Sequence, residues 1–117
     1  MATPIATVVA CAQLQPQLGD PEGNTARTRD ALHAAADEGA QVVVLPELAS
    51  SGYAFADRTE ALAAAQPVDG PCLTAWADIA AQRDLIVVGG FCELGDEGRI
   101  HNSAALIDAS GVRAVYR

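Results

Sequence analysis

The chain has 117 residues, half of them hydrophobic but only 4% aromatic, which is room for one small domain packed mainly from Ala, Val, Leu and Ile. Its formal net charge is −8, from 15 acids against seven arginines and no lysine, and this argues against nucleic acid or an anionic membrane surface as a partner. No apolar run approaches the roughly 20 residues of a membrane span, and the N-terminal stretch MATPIATVVACAQ lacks the basic start of a signal peptide.

In chain order, Ile5–Gln13 is expected to form a strand, followed by a loop crowded with Gly, Pro and Asp, QLGDPEGN. Asn24 is the expected N-cap of a helix running to about Glu38, with Gly39 as its stop. Thr28, Leu32, Ala35 and Ala36 supply its inward stripe. Val42–Leu45 reads as a strand buried on both faces. Asp57 with Glu60 fits a capping box opening a short helix that Pro67 ends. Gly70–Pro71 starts another helix with Leu73, Trp76, Ile79, Ala80 and Arg83 along one side. Ile86–Glu93 and Ile100–Asp108 are strands, and the Asp108–Gly111 turn leads into a last strand, Val112–Tyr116. The order β, α, β, α, α, β, β, β implies an α/β chain with a mixed sheet, parallel where helices intervene and antiparallel in the final hairpin. A layer of this size leaves one sheet face poorly covered.

Three cysteines, Cys11, Cys72 and Cys92, are odd in number and form no CxxC pair. They point to a reduced, cytoplasmic chain without a disulfide framework or zinc site. Core packing is the expected role of all three. Cys72 alone lies near a helix N-terminus, where a thiol pKa can be lowered. His33 is expected on the surface, and His101 has no companion ligand that would make a metal site. Glu93 ends its strand as a loop-facing acid.

Glu47 is the residue that calls for explanation. It follows the most hydrophobic strand and a rigid proline, in VVVLPELASSGY. Ligands gather at the carboxyl ends of parallel strands. A carboxylate partly desolvated there has a raised pKa and can take a proton near neutrality. Its alternative is a solvated strand-end acid or a helix cap. Asn102 shares a strand face with Ile100, Ala104 and Leu106, so its amide needs a partner, either backbone or a catalytic-site carboxylate.

LPELASSGY resembles the glutamate motif of the nitrilase superfamily, the carbon–nitrogen hydrolases. VVACAQLQPQLGDPEGN resembles the first strand and loop of that family, and EGAQVVVLPEL the helix end and strand before its glutamate. LIVVGGFCELGDEGRIHNSAALIDASGVRAVYR resembles its later strands. The resemblance implies the mixed-sheet portion of an α-β-β-α sandwich and a homo-oligomeric assembly. It also implies attack by a cysteine thiolate on an amide, carbamoyl or nitrile carbon of a small molecule, with Glu47 as general base and no cofactor or metal. Tyr53, in the loop after Glu47, becomes a candidate substrate contact, with an aromatic lid over the core as its other reading, and Asn102 is carried as a second candidate, structural support being its first role. The family's lysine, which the resemblance implies stabilises the tetrahedral intermediate, follows the Tyr-Arg pair and its cysteine comes later still, so of this Glu-Lys-Cys triad only the Glu is expected within residues 1–117. Residues 1–117 are therefore expected to be the N-terminal part of such a domain, inactive alone. Other readings stay open: the glutamine-hydrolysing domain of a glutamine-dependent NAD synthetase, a non-catalytic remnant or interaction module, or a flavodoxin-like binding domain.

Overall fold

A computed structural model describes residues 2–117. The elements are β1 (Val9–Cys11), α1 (Pro21–Asp37), β2 (Val42–Val44), α2 (Arg58–Ala64), α3 (Pro71–Arg83), β3 (Ile86–Leu94), a 3-10 turn at Asp96–Gly98, β4 (Ile100–Asp108) and β5 (Gly111–Tyr116). The strands form one sheet in the order β1-β2-β3-β4-β5. The β1–β2 and β2–β3 pairs are parallel, whereas β3–β4 and β4–β5 are antiparallel. This is the mixed α/β order that the sequence implies.

Two boundaries differ for local reasons. The first strand pairs over three residues instead of nine, because its partner β2 offers only Val42–Val44 before Pro46, which has no N–H for the ladder. The cap of α1 is Asp20, whose carboxylate accepts from the Gly23 N–H at 3.1 Å. Asn24 therefore sits inside the first turn rather than ahead of it. The Asp57–Glu60 box forms at α2, with the Glu60 N–H donating to Asp57 at 2.9 Å.

Helices α1 and α3 pack on one face of the sheet. Leu32 from α1 and Leu73, Trp76, Ile79 and Ala80 from α3 meet Val43, Val87, Phe91, Ala105 and Ile107 from the strands. The single tryptophan is fully buried and its indole N–H donates to Thr28 Oγ1 at 2.8 Å, tying the two helices together. Residues of the alternate phase form the opposite face. There Val42, Val44 and Val88 are half-buried and Ile86, Leu106 and Tyr116 exposed, so β2 is covered fully on one side only. His33, expected on the surface, is half-buried at the α1–α3 seam, where Arg83 Nη1 lies 3.1 Å from its Nδ1.

Candidate active site

The β2 ladder ends when the Leu45 N–H donates to Val88 O at 2.8 Å. Pro46 cannot donate, and the chain rises over the open face before the Ala49 N–H bonds Gly90 O at 2.9 Å. Ser51 and Gly52 N–H groups then both donate to Leu48 O, closing a turn. The side chain presented at this point, at the carboxyl end of a parallel strand, is Glu47.

Two donors hold its carboxylate. Tyr53 OH donates to Oε2 at 2.7 Å, and Asn102 Nδ2 donates to Oε1 at 2.5 Å. Tyr53 comes from the turn just described, and Asn102 from the start of β4, delivered by its pairing with Cys92 on β3. Each oxygen keeps a further acceptor position. The carboxylate faces a cleft of ≈ 360 Å³ lined by Leu45, Val88, Gly90, Asn102, Ala104 and Tyr116 among others.

The Tyr53 hydrogen bond, then that from Asn102, lowers the Glu47 pKa below its ordinary 4.5; desolvation opposes them and is weaker. The expected raised pKa is thus corrected: in this chain Glu47 is exposed, and its donors outweigh burial. The Tyr53 phenol is raised above its ordinary 10.0, chiefly because it donates to that anion. At neutral pH the pair is therefore a carboxylate ready to accept and a phenol that donates.

Glu93 is not loop-facing. Its side chain is 2% exposed, and Arg117 grips it through Nε to Oε1 at 3.0 Å and Nη2 to Oε2 at 2.7 Å. Ser103 Oγ donates to Oε1 at 2.7 Å. The forked Arg117 contact is the largest cause of a pKa below the ordinary 4.5. Buried and held by these three donors, Glu93 ties the residue after β5 to β3 and β4 rather than offering a second acid to the cleft.

The glutamate loop is also pinned from behind. Asn24, 1% exposed, accepts from the Gln17 N–H at 2.8 Å and donates from Nδ2 to Gln17 O at 2.8 Å and Ser50 O at 3.3 Å. Ser50 Oγ accepts from the Cys92 N–H at 3.1 Å. The sequence carried a signal for this, since Asn24, Thr28 and Leu32 follow at helical spacing on the buried stripe.

Cys72 and Cys92 are buried, while Cys11 is exposed, which corrects the expected core role of Cys11. Cys11 pairs with Val44 and so points to the open face. Burial pushes the Cys72 thiol up to about 11 despite its place in the first turn of α3. Among the described residues no group of three or more His, Cys, Asp or Glu could hold a metal, and no helix is long and apolar enough to cross a membrane.

Fold and site together define an α/β sheet domain that presents one hydrogen-bonded carboxylate at the carboxyl end of a parallel strand. The chain matches the carbon–nitrogen hydrolase family over residues 8–117 and belongs to it. It is 34% identical over 110 residues to a nitrilase of Pyrococcus abyssi, covering 93% of this chain and 42% of that protein. It is 33% identical over 105 residues to an (R)-stereoselective amidase of a Pseudomonas species, covering 90% and 37% respectively. The crystal structure of an N-terminal amidase superposes with a TM-score of 0.81 at 26% identity, over 93% of this chain and 27% of that one. The C. elegans NitFhit protein shares the fold, with a TM-score of 0.80 at 20% identity over 96% and 28%. The chain thus spans 42% and 37% of the length of these two curated relatives.

Proposed function

We propose that the protein carrying this chain is an amidase-type carbon–nitrogen hydrolase in which Glu47 is the general base. The observation that supports this most directly is the Glu47 carboxylate itself, ionised and fixed by Tyr53 and Asn102 with acceptor positions left over. In this reading a cysteine thiol, contributed by the part of the family's sequence that follows the segment matched here, attacks the carbonyl carbon of a small amide. Glu47 takes the S–H proton as the C–S bond forms, then returns it to the departing nitrogen, so that ammonia leaves and an acyl-cysteine remains. Water next attacks the thioester and Glu47 takes its proton; as the C–S bond breaks, Glu47 hands that proton to the departing cysteine sulfur, and the carboxylic acid is released with thiol and carboxylate restored. A substrate filling the cleft strips water from Glu47 and raises its pKa toward that of a working base. Asn102, which lines the same cleft, and Tyr53, which reaches it through its bond to Glu47, contact substrate as well as the carboxylate.

The test is Glu47→Gln in the full-length protein, read as ammonia release from a simple aliphatic amide. Turnover is expected to fall about 10²- to 10⁴-fold, the usual contribution of a positioned base, with an unchanged unfolding midpoint. Retained turnover sinks the assignment. A second reading is favoured by the 32% identity over 109 residues to the glutamine-dependent NAD(+) synthetase of Thermotoga maritima. It makes glutamine the substrate, so a strong preference for glutamine over aliphatic amides selects it.

A further inference from the structure

Two adjacent glycines, Gly89 and Gly90, sit in the middle of β3, where glycine ordinarily weakens a strand. Successive strand residues face opposite sides of the sheet, and these two sites receive different neighbours. A Cβ on Gly89 would lie 2.4 Å from Cζ3 of Trp76, so this glycine is the slot for the indole ring on the helical face. A Cβ on Gly90 would lie 2.6 Å from Pro46 O, 2.7 Å from Glu47 Cα and 2.7 Å from Leu48 N. All three are backbone atoms of the segment that carries the carboxylate, and backbone cannot swing aside as a side-chain tip does. The segment is tied on both sides of the contact, by Leu45 N–H to Val88 O and Ala49 N–H to Gly90 O. Between those ties Leu48 holds a φ of 48°, a left-handed conformation that leucine adopts only where its surroundings impose it.

We propose that Gly90 is a positioning residue for Glu47: its bare Cα is the seat on which the Pro46–Leu48 backbone rests, and it sets the height of the carboxylate above the open face. The inference builds on the role proposed for Glu47. Ordinary contacts begin at 3.4 Å, so a methyl group at position 90 must lift the Glu47 backbone by several tenths of an ångström. That shift loosens the bonds from Tyr53 and Asn102, and displacements of about 1 Å at a catalytic group cost on the order of 10²-fold in rate.

The experiment compares Gly90→Ala with Gly89→Ala and Glu47→Gln in the full-length protein. Gly89→Ala crowds the same strand against Trp76 and controls for lost packing. The readouts are kcat and KM for ammonia release from butyramide, the unfolding midpoint, and the NMR shifts of the Asn102 side-chain amide protons. Gly90→Ala should lower kcat about 10- to 100-fold with KM within about threefold, and move the Asn102 protons upfield toward their Glu47→Gln positions. Gly89→Ala should lower the unfolding midpoint while leaving both the folded enzyme's kcat and the Asn102 shifts near wild type. Unchanged kcat and shifts in Gly90→Ala overturn the proposal, as does an equal loss of kcat in both glycine variants. If Gly90→Ala does not fold, Leu48→Gly relaxes the same seat without filling it; an undiminished kcat and unmoved Asn102 signals there also overturn it. Should Glu47→Gln retain turnover, the general-base reading fails on its own, and the Asn102 shifts in Gly90→Ala still decide whether the seat exists.

Discussion

Glu47 and Asn102 stand 55 positions apart and meet through one hydrogen bond, from Asn102 Nδ2 to Glu47 Oε1. The contact depends on the β3–β4 register, which pairs Asn102 with Cys92; a slip of one residue would turn the amide to the helical face. Tyr53 closes on the other oxygen. Both bonds lower the Glu47 pKa, Tyr53 more than Asn102. Tyr53→Phe and Asn102→Leu should therefore each move the Glu47 titration upward, Tyr53→Phe further, as read from its carboxyl ¹³C shift against pH. The sign for stability follows: a folded pKa below the ordinary 4.5 stabilises above that value, and the benefit disappears as pH falls through the folded pKa. Each variant should lose part of that pH dependence, Tyr53→Phe the larger part. In the full-length enzyme the acidic limb of kcat/KM should shift upward with the same titration.

Arg117 and Glu93 give a second test. Arg117→Met leaves a buried carboxylate held by Ser103 alone, and destabilisation of about 1–3 kcal/mol is expected. The lower part of that range applies, because the Arg117 side chain is 57% exposed and water partly replaces it. In the wild type the Glu93 pKa lies below 4.5, so its stabilisation is present above that pH and is lost as pH falls through the folded value. Without Arg117 the largest lowering cause is gone and the pKa rises from its wild-type position, so the carboxyl is neutralised earlier on acidification. Urea unfolding should show a wild-type advantage at pH 7 that narrows towards pH 4. A constant difference would mean that the pair does not carry the effect.

The element order, the helical stripe of α1 and the placement of Glu47 were legible because each rests on local pattern: periodicity, a proline, a glycine. The extent of β1 was not, since a strand is only as long as its partner allows and β2 pairs over three residues. Glu93 reads as a loop acid because it precedes Gly95 and Asp96; only the β4–β5 register brings Arg117 across to it. The direction of the Glu47 pKa shift was hidden for a related reason. Desolvation can be guessed from a hydrophobic strand, and a carboxylate was one of two partners readable for Asn102, whereas the larger lowering cause, the Tyr53 bond, depends on how the turn after Glu47 folds back. Asn24 carried a cue that conflicted with itself, being both a good cap residue and in phase with the buried stripe, and burial prevailed.

Thr28 accepts the indole N–H of Trp76 within the core. Thr28→Val keeps the volume but leaves that donor without a partner, and should cost about 1–3 kcal/mol. Thr28→Ser retains the hydroxyl and should cost less. Because Trp76 is the chain's single tryptophan, its fluorescence reports both the unfolding curve and the change at the indole. Equal losses in the two variants would assign the effect to packing rather than to the hydrogen bond.

The three cysteines should separate by reactivity. Cys11 is exposed on the open face, while Cys72 and Cys92 are buried. Burial raises both inner thiols, that of Cys72 to about 11, so at pH 8 almost none of Cys72 is thiolate. A native-state reaction with Ellman's reagent should release one fast equivalent from this chain, abolished by Cys11→Ser, with the other two appearing only on unfolding. Cys72→Ala should leave hydrolysis in the full-length protein intact, because a thiol on α3 held protonated against α1 cannot attack a substrate in the Glu47 cleft. Loss of turnover in that variant at an unchanged unfolding midpoint would place the nucleophile inside this chain and remove Glu47 from the centre of the mechanism.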